Sequence, residues 1–272
     1  MDIQSLQERR LRSWCQDRSN RVPDPASAAE FIQRHGLATL YPASSEVPNL
    51  LWAYVSEPNF KGEAKWDSPS GDVYGWRWDL GRSSAAFYGA LVAKKPTWIA
   101  WDVLPTVLGF AMDRREPEQQ YSDGLLSNDA IRVVRAFEGT SGVLSTKELR
   151  LRAGFPTGKA ERAAYLKAVE ELDSRLFLAK TFDAEGKGDD MSHALVKIKY
   201  APQVAEALAM EPGQAFERFL KGYLPKAIYF DPKVLAKHLR LPPLMVEAAS
   251  DTLIGLALAT RLDGFVATTG EE

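Results

Sequence analysis

The chain has 272 residues, room for one large domain or two to three small ones, with 45% apolar and 26% charged residues as in an ordinary globular protein. A formal net charge of −2 excludes a histone-like coating protein while leaving room for a locally basic face. Cys15 stands alone and His35, His193 and His238 are far apart, so no internal disulfide, structural zinc or other cofactor is expected.

No apolar run reaches the roughly 18 residues of a membrane span, and the charged start lacks the apolar core of a secretory signal. The expected location is the cytoplasm, with no membrane partner. A charged helix is predicted over 6–18. A second follows over Pro25–His35, opened by proline and stopped by Gly36, then a short buried strand over 37–41. Residues 56–75, rich in Gly, Pro, Ser and Asp, read as a long loop. Helices over 83–92 and 102–112 are expected to flank a strand at 97–100.

Trp76-Arg77-Trp78-Asp79 reads as a strand with both tryptophans on one face. Aromatic rings beside a carboxylate suit an extruded or unpaired base, so Trp76, Trp78 and Asp79 form a candidate base pocket. The alternative is that the tryptophans fill a small core. All seven tryptophans precede residue 102, a composition shift that places a boundary in the polar stretch 113–120. Residues 1–120 are thus expected to form a Trp-rich α/β domain.

The middle is the most legible part. A helix over 128–138 ends at Gly139, and Ser145-Thr-Lys-Glu148 is a capping box opening a short helix that stops at Gly154. A third helix, 159–176, carries Leu166, Val169, Leu172 and Leu176 as its apolar stripe. Strands follow over 178–182 and 193–200, joined by a connector containing Gly186 and Gly188. Three helices and a β-hairpin are the order of a winged helix-turn-helix, here 121–201. Between 145 and 167 six basic residues face two acids. Lys147, Arg150, Lys159, Arg162 and Lys167 are the candidate DNA contacts, aided by backbone N–H groups at the start of the third helix. The wing, with Asp183, Glu185, Asp189 and Asp190 against Lys187, should avoid phosphate. The alternative is a solvated, salt-bridged face on a protein-contact module. Gly154-Phe-Pro-Thr-Gly158-Lys159-Ala160 is not a phosphate loop: it has one residue too few between its glycines, and Ala160 stands where Ser or Thr would hold Mg²⁺.

A softer boundary falls near 202–213, and 202–272 echoes the layout. A helix over 216–223 comes first, then one opened by Asp231-Pro232 and running to Leu239. A long apolar helix from 243 to 262 is expected as a core element, making this a degenerate second winged-helix-like module. The N-terminal part is a candidate for a divergent third. The fold class expected is α+β, mainly helical, with tandem winged-helix modules.

Phe31-Ile-Gln-Arg-His-Gly-Leu-Ala-Thr-Leu-Tyr-Pro42 and Val47-Pro-Asn-Leu-Leu-Trp52 resemble the opening of the AlkZ-related proteins. So do Trp78-Asp79-Leu80, Phe87-Tyr88-Gly89 and Leu144-Ser-Thr-Lys-Glu-Leu149. The resemblance extends from about 28 to 265. It implies tandem winged helices and a link to DNA damage, as in the AlkZ-type DNA glycosylases to which those proteins are distantly related. The Gln-x-Gln or Gln-x-Asp pair on which such glycosylases rely does not occur here. The expected function is therefore binding of double-stranded DNA without an identifiable catalytic motif. The alternatives are a glycosylase excising alkylated or crosslinked bases, and a protein-interaction scaffold that does not bind nucleic acid.

Overall fold

Helix starts in this chain are written in short polar side chains. Asp2, Asp24, Asn49, Ser68, Ser127, Ser145 and Asp231 each accept a hydrogen bond from a backbone N–H of the turn they open. Proline follows three of these caps directly, at Pro25, Pro69 and Pro232, where its missing N–H costs nothing. The computed structural model describes residues 2–186 and 191–270, an α+β chain with antiparallel sheets.

After a leading helix α1 (Ile3–Ser13), one order of elements occurs three times. The first copy is α2 (Pro25–His35), β1 (Leu37–Thr39), α3 (Leu50–Val55), α4 (Pro69–Arg82), β2 (Phe87–Ala90) and β3 (Pro96–Ile99). Helices α5 (Leu104–Ala111) and α6 (Pro117–Ser122) lead to the second. That copy is α7 (Asn128–Arg135), β4 (Val143–Ser145), α8 (Thr146–Arg152), α9 (Lys159–Asp173), β5 (Leu178–Phe182) and β6 (Met191–Leu195). Helices α10 (Val196–Lys199) and α11 (Ala201–Leu208) then connect to the third: α12 (Pro212–Ala227), β7 (Tyr229–Phe230), α13 (Pro232–Leu239), α14 (Pro243–Gly255), β8 (Ala259–Leu262) and β9 (Phe265–Thr268).

Strand pairing repeats as well. In every copy the last strand lies between the first and the second, as β1-β3-β2, β4-β6-β5 and β7-β9-β8. The first two sheets join edge to edge where Tyr88 of β2 faces Lys180 of β5, giving one six-stranded antiparallel sheet. The third stays separate. Its α12 packs with α5 over a large apolar core that includes Phe110, Phe216, Phe219 and Leu224. Helix α1 is tied to that copy by Arg10. Its buried guanidinium donates to the Ala227 and Tyr229 carbonyls and pairs with Glu46 at 3.2 Å.

The sequence reading fails where tertiary contacts overrule local pattern. Trp76, Trp78 and Asp79 lie on helix α4 and not on a strand, so the loop predicted over 56–75 already ends at Ser68. Residues two positions apart on a helix are turned by about 200°, and the two tryptophans meet different partners. Residues 83–92 hold strand β2 and the start of a 3₁₀ turn in place of a helix. In α9, Tyr165 and Ala168 are buried while Leu166 is 52% exposed, so Leu166 leaves the predicted stripe. Helix α1 stops at Ser13, and α9 stops at Asp173. The strand expected over 193–200 ends at Leu195, where α10 begins. The apolar helix expected to reach 262 ends at Gly255, and Leu244 on it is 83% exposed, which removes it as a uniform core element. Of the predicted wing, Lys187, Asp189 and Asp190 lie outside the described residues.

Candidate nucleic-acid interface

The second copy carries the basic face. Ser145 and Glu148 close the predicted capping box, Ser145 Oγ accepting from the Glu148 N–H and Glu148 accepting from the Ser145 N–H. The Ser145 hydroxyl also donates to Glu148 Oε2 at 2.7 Å, and this bond together with that from the Ser145 N–H holds the Glu148 carboxyl below its ordinary range. One acid of the region is thereby committed to structure. The other, Glu161, folds back on the start of α9, where a Cβ on Gly158 would meet its Oε2 at 2.0 Å. The N–H groups at that helix start thus already share their space with a carboxylate.

The six cations divide into two groups. Arg152 donates to the Ala136 and Glu138 carbonyls, and Arg150 donates to the Pro156 carbonyl at 2.6 Å. Both brace the turns around α8. Lys147, Lys159, Arg162 and Lys167 are exposed and enter no ion pair among the described residues. Three of these sit on α9 with Ala163 and Leu166 exposed between them, so that helix presents a positive, shallow outer face.

The predicted base pocket forms on the first copy, in altered shape. Trp76, Trp78 and Asp79 line one open groove of about 570 Å³ with Tyr54, Trp66 and Asp72. Trp76 packs edge-on against Tyr54 at 5.0 Å and Trp78 edge-on against Phe182 at 5.5 Å. Both are nearly buried and fill core as much as they line the groove. Trp66 stands out at 70% exposed, propped edge-on by Tyr74. No sequence pattern singled it out. Asp72 accepts from the Tyr54 hydroxyl at 2.8 Å, and Arg82 lies over the Trp78 ring, so an aromatic wall of mixed charge faces solvent here. Among the described residues no group of His, Cys, Asp and Glu is arranged to hold a metal ion, and no helix is long and apolar enough to cross a membrane.

A chain of three repeated helix-and-hairpin units, the second bearing a basic helix, falls in the α+β class of a known DNA glycosylase fold. The fold is similar to that of the Streptomyces sahachiroi DNA glycosylase AlkZ, with a TM-score of 0.55 and 13% identity over 96% of this chain and 69% of that one. The chain belongs to the AlkZ-related family, whose pattern it matches over residues 22–224. No curated protein matches the sequence.

Proposed function

We propose that this protein binds double-stranded DNA through tandem winged-helix modules and takes part in DNA repair. Each repeated unit is read as one winged helix, with modules at about 1–120, 121–201 and 202–272. The observation that carries the reading is the outer face of α9, the third helix of its unit, where Lys159, Arg162 and Lys167 have no acidic partner among the described residues. A third helix in this position is the one that such modules lay in the major groove. The likeness to a DNA glycosylase supports the same reading.

Each phosphate contact adds about 0.9 to the slope of log affinity against log salt. Replacing Lys159, Arg162 and Lys167 with alanine should therefore lower that slope by about 2.7, a difference of about 40-fold in affinity change between 50 and 200 mM salt. A slope equal to that of the wild type would overturn the assignment. Retention of a protein partner with no duplex binding at low salt would favour a scaffold.

A second reading, excision of alkylated bases, draws on the groove of the first copy. The exposed Trp66, in the same groove as Asp72 and Asp79, suits a purine ring made cationic by alkylation, with Arg82 as the one opposing charge of that lining. The groove offers no Gln-x-Gln or Gln-x-Asp pair. Release of abasic sites from alkylated duplex, lost in Asp79→Asn, would support it; no release above background would remove it.

A further inference from the structure

The largest difference between the first two copies and the third is the junction at Tyr88 and Lys180, and beside it lies a cleft of about 410 Å³. That volume is within the range of small-molecule sites and exceeds the needs of a bare base or a bare anion. Its walls come from both copies and from the segments that follow them. Trp101 and Tyr200 stand 5.8 Å apart with their rings tilted by 41°. Each is fixed from behind: Trp101 Nε1 donates to the Ser84 carbonyl at 2.8 Å, and Tyr200 packs edge-on against Phe87 at 5.1 Å. Phe182 and Trp98 continue the aromatic lining inward.

Charge is distributed along the same cleft. Lys199 is exposed with no ion pair among the described residues, and the exposed Asp183 lines the same cleft. Lys180 also lines the cleft, but its Nζ is paired with Asp173, 3.7 Å from Oδ2. Asp173 is buried, its Oδ1 has no hydrogen-bond partner among the described residues, and burial lifts its carboxyl to about 6 despite Lys180. His193, the cross-strand neighbour of Lys180, is held neutral by burial and by that lysine, its pKa lowered to about 4.

Aromatic walls with one uncommitted lysine, Lys199, match a planar ring that carries an anionic group. An uncharged ligand would leave Lys199 unused, and a free anion would leave the rings uncovered. We propose that this cleft binds one nucleotide, its base against Trp101 and Tyr200 and its phosphate on Lys199. The nucleotide has two sources, a free mononucleotide or a unit turned out of a DNA strand, and only the second rests on the DNA-binding reading above.

The full chain should be titrated by calorimetry with deoxyadenosine monophosphate, with deoxyadenosine, and with a short duplex containing one unpaired adenine. The monophosphate should bind about tenfold more tightly than the nucleoside, since a charge-assisted contact is lost with the phosphate. Lys199→Glu, at an exposed position, should remove that difference and leave nucleoside binding unchanged. Tyr200→Ala should weaken both by about tenfold through lost stacking. Competition between the monophosphate and the unpaired-base duplex, abolished by Lys199→Glu, assigns the strand as the source. Monophosphate binding without such competition assigns the free nucleotide. Absence of binding by all three, or binding indifferent to both substitutions, overturns the proposal. Because Lys199 is outside the α9 face, a normal salt slope for plain duplex would separate that failure from a failure of the DNA reading.

Discussion

Acid should loosen this fold through two buried imidazoles. Burial, aided by the nearby charges of Arg34 and Lys226, lowers the His35 pKa from 6.5 to about 3, and burial with Lys180 lowers that of His193 to about 4. Folded values below unfolded ones mean that the unfolded chain takes the proton first. This contribution to stability is therefore complete above about pH 6.5 and is lost as pH falls toward the folded values. From pH 7 to pH 4.5 each histidine withdraws about 2.5 kcal/mol. Asp173 acts in the opposite sense. Its carboxyl, lifted by burial from 3.8 to about 6, is protonated earlier in the folded state and returns about 2 kcal/mol over the same interval. The net loss expected at pH 4.5 is thus about 3 kcal/mol. Urea unfolding followed by circular dichroism at both pH values measures it, each variant being compared with itself. Asp173→Asn should lose about 5 kcal/mol on acidification and His35→Asn about 0.5 kcal/mol. A His35→Asn protein as acid-sensitive as the wild type would refute the view of a neutral imidazole locked in the core.

Arg10→Ala should cost about 3–5 kcal/mol in thermal or urea unfolding, because it leaves Glu46 buried without its cation. Arg10→Lys should recover only part, since a single ammonium cannot reach Glu46 and two carbonyls in one plane while lying over the Tyr229 ring. Two glycines of α4 should respond with opposite signs. A Cβ at Gly81 would fall 2.1 Å from Phe182, so Gly81→Ala should destabilise by about 1–3 kcal/mol. Gly75→Ala meets nothing within 4 Å and should stabilise by up to about 1 kcal/mol. Ser145→Ala removes one cap and should cost about 1 kcal/mol, read as a lower melting temperature.

What the sequence disclosed was what local chemistry decides. The capping box at Ser145 and the Asp231-Pro232 start were legible, because caps act within a few residues, and the strand at Leu178–Phe182 was found, whereas alternation carried the next strand past its true end at Leu195. Helix α4 was not, although Ser68-Pro69 is the same start signal. Gly71, Gly75 and Gly81 dilute its helical pattern, and two of them exist for distant reasons. Gly71 admits the Lys65 and Trp66 carbonyls, and Gly81 admits Phe182 from the next copy. The aromatic groove was half legible: the Trp76-Trp78-Asp79 group was found on the wrong backbone, and Trp66 went unnoticed because exposure is set by tertiary packing. The cleft at the sheet junction was invisible. Lys180 and Tyr200 acquire their neighbours only when β2 pairs with β5, a contact across about ninety residues that no local pattern announces.

Three copies of one unit cannot all satisfy each other. The second strands of the first two, β2 and β5, close each other's open side, whereas the corresponding strand of the third, β8, remains an outer edge of its sheet. An open strand edge invites another chain to add to it and so seeds aggregation. Here the edge spans only Ala259–Leu262, and Arg261 within it is clamped by Glu247 at 2.7 Å and Asp251 at 2.8 Å. Shortness and a pinned charge are the usual means by which a protein keeps such an edge from recruiting neighbours. The third copy thus carries its own safeguard, and neutralising Arg261 would open β8 to the self-association that β2 and β5 avoid by pairing with each other.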